Sequence, residues 1–431
     1  MPSSDLDLAQ WTPGKKQLFR FFFIFFLLYI FLNPNDIVPY SYVLHRVYMQ
    51  PCNNLIAWLA NDVFHLDIPI TGNTTTDTSF NYFTLSFIFC TGCVGSVIWM
   101  FADRKSANYT KLYSFLIIVL RYYLAITWIA YGSMKIIRLQ FPELTPVMLL
   151  QTYGNSSPRG LAWAFMGYST GYNYFIGFTE YIIGLLLFFR RTSKLGALLS
   201  FGALANIMAF NYCFDDNVKL LSTLLMAMTL FLLSKDIRRL INFFFFNKVI
   251  QPEDFSSYRF KQKWKNTTLL ILKCTFILYL LVFDLYGFSS RVKQYGTDTQ
   301  KPSLYGIYGV QTFKRNRDTI KPLITNNTSW KKLIVSSIPG NASVMLVNDS
   351  LKYFIFKTDT IKKTIEMYSE KDGSDKYTFN YSIVKDSTLI LNGKWRSDSL
   401  QIQLKQYDLN KFPLINQKFH WIIDHQVKIN R

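Results

Sequence analysis

The chain has 431 residues, of which 50% are hydrophobic, 17% aromatic and 17% charged, with a formal net charge of +20. It is apolar for a soluble protein. Its cations flank apolar runs or scatter along a turn-rich tail without a nucleic-acid-binding motif, which excludes nucleic acid as the partner and points to anionic lipid.

About seven apolar runs follow one another: Gln17 to Asn33, Tyr82 to Phe101, Leu112 to Ile136, Tyr172 to Phe189, Leu195 to Tyr212, Val218 to Ser234 and Thr267 to Phe288. Each is near the ~20 residues that cross a bilayer. The first follows Lys15 and Lys16 and precedes Asn33-Pro34-Asn35-Asp36 without a small-residue cleavage site, so it reads as a retained anchor. With the N-terminus in the cytoplasm, Lys15, Lys16, Arg104, Lys105, Arg190, Arg191 and the cation-rich segment from Lys235 to Lys265 face inward. The outer connections keep only Arg46, Arg138 and Arg159, with Lys135 and Lys219 at span ends. This asymmetry, with seven spans, puts the tail outside.

Two outer connections are long, residues 34 to 81 and 137 to 171. In the first, Tyr42 to Leu66 has the apolar spacing of a helix lying along the surface. In the second, the apolar stretch Val147 to Leu150 among prolines and glycines predicts a short re-entrant or cap helix. The inner segment from Lys235 to Lys265, with Phe243 to Phe246 among its cations, suits an interfacial amphipathic stretch.

From about Leu304 the period changes to two, in short runs such as Val344 to Val347, Tyr353 to Phe356, Tyr377 to Tyr381 and Leu400 to Leu404. Turn signals such as Asn348-Asp349-Ser350 and Asn392-Gly393 separate them. The cysteines, Cys52, Cys90, Cys93, Cys213 and Cys274, all precede the tail, which must therefore stand on its core without disulfides. The fold class expected is a multi-span α-helical membrane bundle, residues 1–290, followed by an all-β antiparallel barrel or sandwich, a lipocalin-like meander, in residues 291–431.

Ionisable groups inside the runs are the candidate chemistry. Counted from the flanking cations at ~1.5 Å per residue, Arg121 and Glu180 both lie about 15 Å from the inner surface, Asn206 about 18 Å and Lys273 about 12 Å. Equal depth predicts an Arg121 to Glu180 pair with Asn206 nearby, because an unpaired charge in hydrocarbon costs several kcal/mol. A second set, Lys135, Asn211, Asp215, Asp216, Lys219 and Asp284, approaches the outer rim. It predicts an outward-opening pocket bounded by Lys135, Glu180, Asn211, Asp215 and Lys219 with the tail as a lid, against the plainer reading that these residues anchor helix ends in headgroups. Cys90-Thr91-Gly92-Cys93 has the spacing of a dithiol redox centre whose partner inside a membrane would be a quinone. The same residues with Gly95 and Ser96 form a small-residue patch suited to close helix packing, which is the simpler reading. No Ser/His/Asp set, metal cluster or phosphate-binding glycine loop is visible, and His45, His65, His420 and His425 lie in the first outer connection and the tail.

Arg121-Tyr122-Tyr123-Leu124, Tyr131-Gly132-Ser133-Met134-Lys135 and Gly177-Phe178-Thr179-Glu180-Tyr181-Ile182-Ile183-Gly184 resemble conserved elements of the DoxX family. These are small four-helix membrane proteins named after a subunit of an archaeal thiosulfate:quinone oxidoreductase. The resemblance covers roughly residues 112 to 235 and carries over to Arg121, Gly132, Lys135 and Glu180. It implies a bacterial inner membrane with the tail in the periplasm. The layout is also similar to that of vitamin K-dependent carboxylase-like membrane enzymes. The function expected is an accessory or binding component of the cell envelope whose β domain recognises an envelope protein or lipid. The alternative is a membrane redox component exchanging electrons with quinone, or a carboxylase-like enzyme.

Overall fold

The computed structural model describes residues 10–33, 42–71, 75–249, 262–295, 301–323, 328–369, 376–384, 387–416 and 421–422, with the backbone alone at 42–44, 284, 285 and 288–295. His420 and His425 lie outside these residues. The chain divides into two compact units: residues 1–140 with 170–290, and residues 141–169 with 291–431.

The first unit is helical. Helix α1 (Pro13–Leu32) starts where Thr12 accepts a hydrogen bond from the Lys15 N–H and Pro13 supplies a preset first turn. The helix predicted within Tyr42 to Leu66 is present as α2 (Tyr42–Trp58), which continues into a π-helical turn, Leu59–Val63. Next come α3 (Ser79–Ala102) and α4 (Thr110–Ile136), and, after α5 and α6 of the second unit, α7 (Thr170–Phe188), α8 (Ser193–Cys213) and α9 (Lys219–Ser234). The short α10 (Ile237–Phe244) turns away from α9 by 78°. It leaves Phe243 to Phe246 exposed beside Arg238 and Arg239, as an interfacial segment requires. Helix α11 (Lys263–Tyr295), as far as residue 290, completes the unit.

All seven apolar runs are helices. By length and apolarity four of them, Ser79–Ala102, Thr110–Ile136, Ser193–Cys213 and Lys263–Phe283, can cross a membrane, and a fifth does if α9 and α10 form one broken span. The protein is thus a multi-pass membrane protein. The count falls below seven because α1 carries Lys15, Lys16 and Arg20, and α7 carries Thr170, Asn173, Thr179 and Glu180. Both helices, at 20 and 19 residues, have the length of a span.

The second unit is an eight-stranded antiparallel barrel. Strands β1 (Gly306–Arg315), β3 (Trp330–Val335), β4 (Asn341–Leu346), β5 (Leu351–Asp359), β6 (Thr364–Ser369), β7 (Lys376–Val384), β8 (Thr388–Trp395) and β9 (Asp398–Gln406) each pair with their neighbour in sequence, and β1 closes on β9. The two-residue β2 (Asp318–Thr319) extends the end of β1. The period of two sends Leu333, Val344, Phe356, Phe379, Leu391 and Ile402 inward, so the interior is a packed core of aliphatic and aromatic side chains. At the seam, Arg315 Nε donates to Asp398 at 2.7 Å. Hydrogen bonds from Asn316 and Arg315 hold the Asp398 carboxyl below its usual range.

One patch of the outer wall is covered as well. Ile307, Ile334 and Met345 point outward from β1, β3 and β4 and are packed by Val147 and Leu150 of α5 (Pro146–Leu150) and by Leu409 and Phe412 after β9. The apolar stretch expected as a re-entrant or cap helix is therefore a cap on the barrel wall. It is followed by α6 (Pro158–Tyr168), whose Trp163 stacks edge-on with Phe141 at 5.2 Å.

Candidate functional site

The tightest helix contact in the bundle is between α4 and α7, and glycine makes it so. A Cβ on Gly132 would meet the Gly177 carbonyl oxygen at 2.7 Å, and one on Gly184 would meet the Ala125 carbonyl oxygen at 2.8 Å. Small residues let the backbones approach and set the register of the antiparallel pair. In that register Lys135 Nζ lies 2.7 Å from Glu180 Oε2, with both side chains almost wholly buried, and the Tyr131 ring lies 5.7 Å from the same ammonium.

Glu180 thus pairs with Lys135, which corrects the expected Arg121 to Glu180 pair. Gly132 faces Gly177 and Tyr181 while Ala125 faces Gly184, so moving down α4 means moving on along α7. Arg121 accordingly falls level with the end of α7, where Tyr122 packs edge-on against Phe188 at 5.4 Å. Along α4 it is ~21 Å from Lys135 at ~1.5 Å per residue. Counting depth from flanking cations assumed that neighbouring helices end at one level, whereas α4 begins at Thr110 and continues past the end of α7.

Asn206 does not join the cluster either. The buried residues of α8 are Gly196, Ala197, Ser200, Leu204 and Asn211. Asn206 is exposed, because two residues beyond Leu204 is about 200° around a helix.

The rim residues fall into two sets on two helix pairs: Lys135 with Glu180 on α4 and α7, and Asn211, Asp215, Asp216 and Lys219 around the turn from α8 to α9. Asn211 Nδ2 donates to Ser222 Oγ at 3.1 Å. Lys219 Nζ is 2.7 Å from Asp215 and 3.6 Å from Asp77. The Asp77 carboxylate accepts the backbone N–H groups of Lys219 and Leu220, both at 2.9 Å, capping the orphan donors at the start of α9. The second set therefore fixes a helix end. The side chain of Asp284 lies outside the described residues.

Cys90 is exposed and Cys93 half-buried on α3, both as thiols. Between and beyond them Gly92 faces Phe21 and Phe25, and Gly95 faces Ile24 of α1. Gln17 donates to Ser96 at 2.9 Å. The small-residue patch is the α1 to α3 contact. Replacing both cysteines by Ala is expected to change stability by less than about 0.5 kcal/mol and to leave any growth phenotype intact. Loss of that phenotype with normal expression would favour the quinone-linked dithiol instead.

Two polar linkages escaped the sequence. Arg20, buried in α1, donates from Nε and Nη2 to the Tyr109 hydroxyl at 3.0 and 2.6 Å and from Nη2 to the Asp103 carbonyl at 2.9 Å. This latches α1 to the turn between α3 and α4. Hydrogen bonds led by Ser106 hold the Asp103 carboxyl below its usual range, and burial pushes the Tyr109 hydroxyl up. A lone Arg within an apolar run was the available signal. The second linkage runs from Trp128 Nε1 to Ser200 Oγ at 2.9 Å and on to Thr229 at 3.2 Å, tying α4, α8 and α9. Its members are ordinary residues in apolar sequence and carry no signal. Among the described residues no cluster of His, Cys, Asp or Glu has a metal-binding arrangement.

The fold and this arrangement define a class: multi-pass helical membrane proteins with a C-terminal antiparallel β-barrel. No protein-family profile and no solved structure matches the chain. Over 126 residues it is 40% identical to the uncharacterized protein YwoB of Bacillus subtilis (strain 168), a stretch covering 29% of this chain and 79% of that protein. The chain belongs to the YwoB family.

Proposed function

We propose that the protein is an inner-membrane component of the bacterial cell envelope in which the bundle anchors an extracytoplasmic β-barrel, and that the barrel recognises an envelope protein or lipid. One observation carries this reading: residues 141–169, between α4 and α7, fold in one compact unit with the barrel. Segments that fold together lie on the same side of a bilayer, so the chain between them crosses an even number of times. Helices α7, α8, α9 and α11 supply four crossings; omitting α7 for its polarity leaves three. Parity thus supports α7 as a span, with the charge of Glu180 met by Lys135. Arg190, Arg191, Arg238 and Arg239, on the opposite side from the barrel in this count, argue that the barrel faces outward. With α1 and α3 as spans before α4, the N-terminus is cytoplasmic. The DoxX-like reading of residues 112–235 draws support from Gly132, Lys135 and Glu180 meeting at one helix contact.

Cysteine labelling tests the reading. In a background freed of native cysteines, Gly154→Cys and Lys362→Cys should both react with an impermeant maleimide in intact spheroplasts. Lys248→Cys should react only after permeabilisation. If Gly154→Cys and Lys362→Cys label from opposite sides, the anchored-barrel reading fails.

A further inference from the structure

Arg121 and Lys273 are cations set within the apolar helices α4 and α11. The Arg121 Nε is buried without a hydrogen-bond partner, and its guanidinium carbon sits 5.6 Å from the Tyr122 ring. Lys273, half-buried on α11, holds its Nζ 4.7 Å from the centroid of Phe189 at the end of α7. Arg121 lies within range of the charges of both Lys273 and Arg190. Among the described residues neither Arg121 nor Lys273 pairs with a carboxylate. The C-terminal dipole of α7 offers only about half a negative charge against Arg121 and Lys273. Two other cations of this unit are met by carboxylates, Lys135 by Glu180 and Lys194 by Asp236.

We infer that Arg121 and Lys273 form a binding site for the phosphate of an anionic phospholipid headgroup. The guanidinium fork of arginine matches phosphate oxygens and Lys273 adds a point charge. The level of the site also fits: it lies at the end of α7, just before the Arg190-Arg191 turn, where a chain leaving the bilayer meets headgroups. Tyr122 and Phe189 supply aromatic surface beside it. In the orientation argued above this is the cytoplasmic leaflet, whose anionic lipids are the natural counter-charge. An inorganic phosphate ion offers the same oxygens, so the test separates the two sources.

The full chain, delipidated in neutral detergent, is titrated with phosphatidylglycerol, phosphatidylcholine or inorganic phosphate while its thermal unfolding is followed. Phosphatidylglycerol should raise the melting temperature and phosphatidylcholine should not. The Arg121→Gln/Lys273→Gln double variant should bind phosphatidylglycerol about tenfold or more weakly. Without lipid it should unfold no earlier than the parent, because two uncompensated charges have gone. The charge-keeping Lys273→Arg variant should retain the response. Equal stabilisation of parent and double variant by phosphatidylglycerol overturns the site. A response to inorganic phosphate with none to phosphatidylglycerol overturns the lipid assignment.

Discussion

Lys135→Met will lower the stability of the protein by about 3–5 kcal/mol, because it leaves the Glu180 carboxylate buried without its counter-charge at 2.7 Å, and Glu180→Gln will also destabilise, because it takes that counter-charge from the buried Lys135 ammonium. The double variant Lys135→Met/Glu180→Gln removes both charges and should regain most of that loss. Thermal unfolding of the purified protein in detergent measures all four forms of the cycle, and the expected coupling is well above the few tenths of a kcal/mol seen for independent sites. Arg121→Gln combined with Glu180→Gln should be additive, because Glu180 sits level with Gly132, about three helical turns from Arg121. Additive losses for Lys135 with Glu180 would mean that the two do not meet in the folded protein.

Gly132→Ala and Gly184→Ala should each destabilise by about 1–3 kcal/mol, the usual consequence of forcing a methyl into a packed contact. The obstacle at Gly132 is the backbone of α7, with the Tyr181 nitrogen at 2.9 Å as well as the Gly177 carbonyl, and backbone does not swing aside as a side chain does. Gly202→Ala on α8 is the control. Nothing lies within 4 Å of its added Cβ, so the substitution should be neutral or stabilising by up to about 1 kcal/mol through helix propensity. Pushing α4 from α7 also lengthens the Lys135 to Glu180 contact, so Gly132→Ala and Glu180→Gln should be sub-additive. Equal effects at Gly132 and Gly202 would show that the glycines do not face a neighbouring helix.

Where the helices and strands lie, and how each is built, can be read along the chain. Each apolar run is a helix because a backbone in hydrocarbon must satisfy its own hydrogen bonds. The barrel strands were legible because alternation in Leu400-Gln401-Ile402-Gln403-Leu404 marks an inner and a wet outer face, as the burial of Leu400, Ile402 and Leu404 bears out. Which charges meet depends on how the helices dock. A membrane helix is apolar toward lipid as well as toward its neighbours, so α8 carries no stripe to say that Asn211 turns inward and Asn206 outward. Likewise the partner of Glu180 depends on the offset at which Gly132 seats against Gly177, a distance between two surfaces that no count along one chain supplies. The union of residues 141–169 with the barrel has the same character. Val147 and Leu150 were visibly apolar, but only the covered patch of Ile307, Ile334 and Met345 on the barrel wall makes them part of that unit, because burial is a property of two faces in contact.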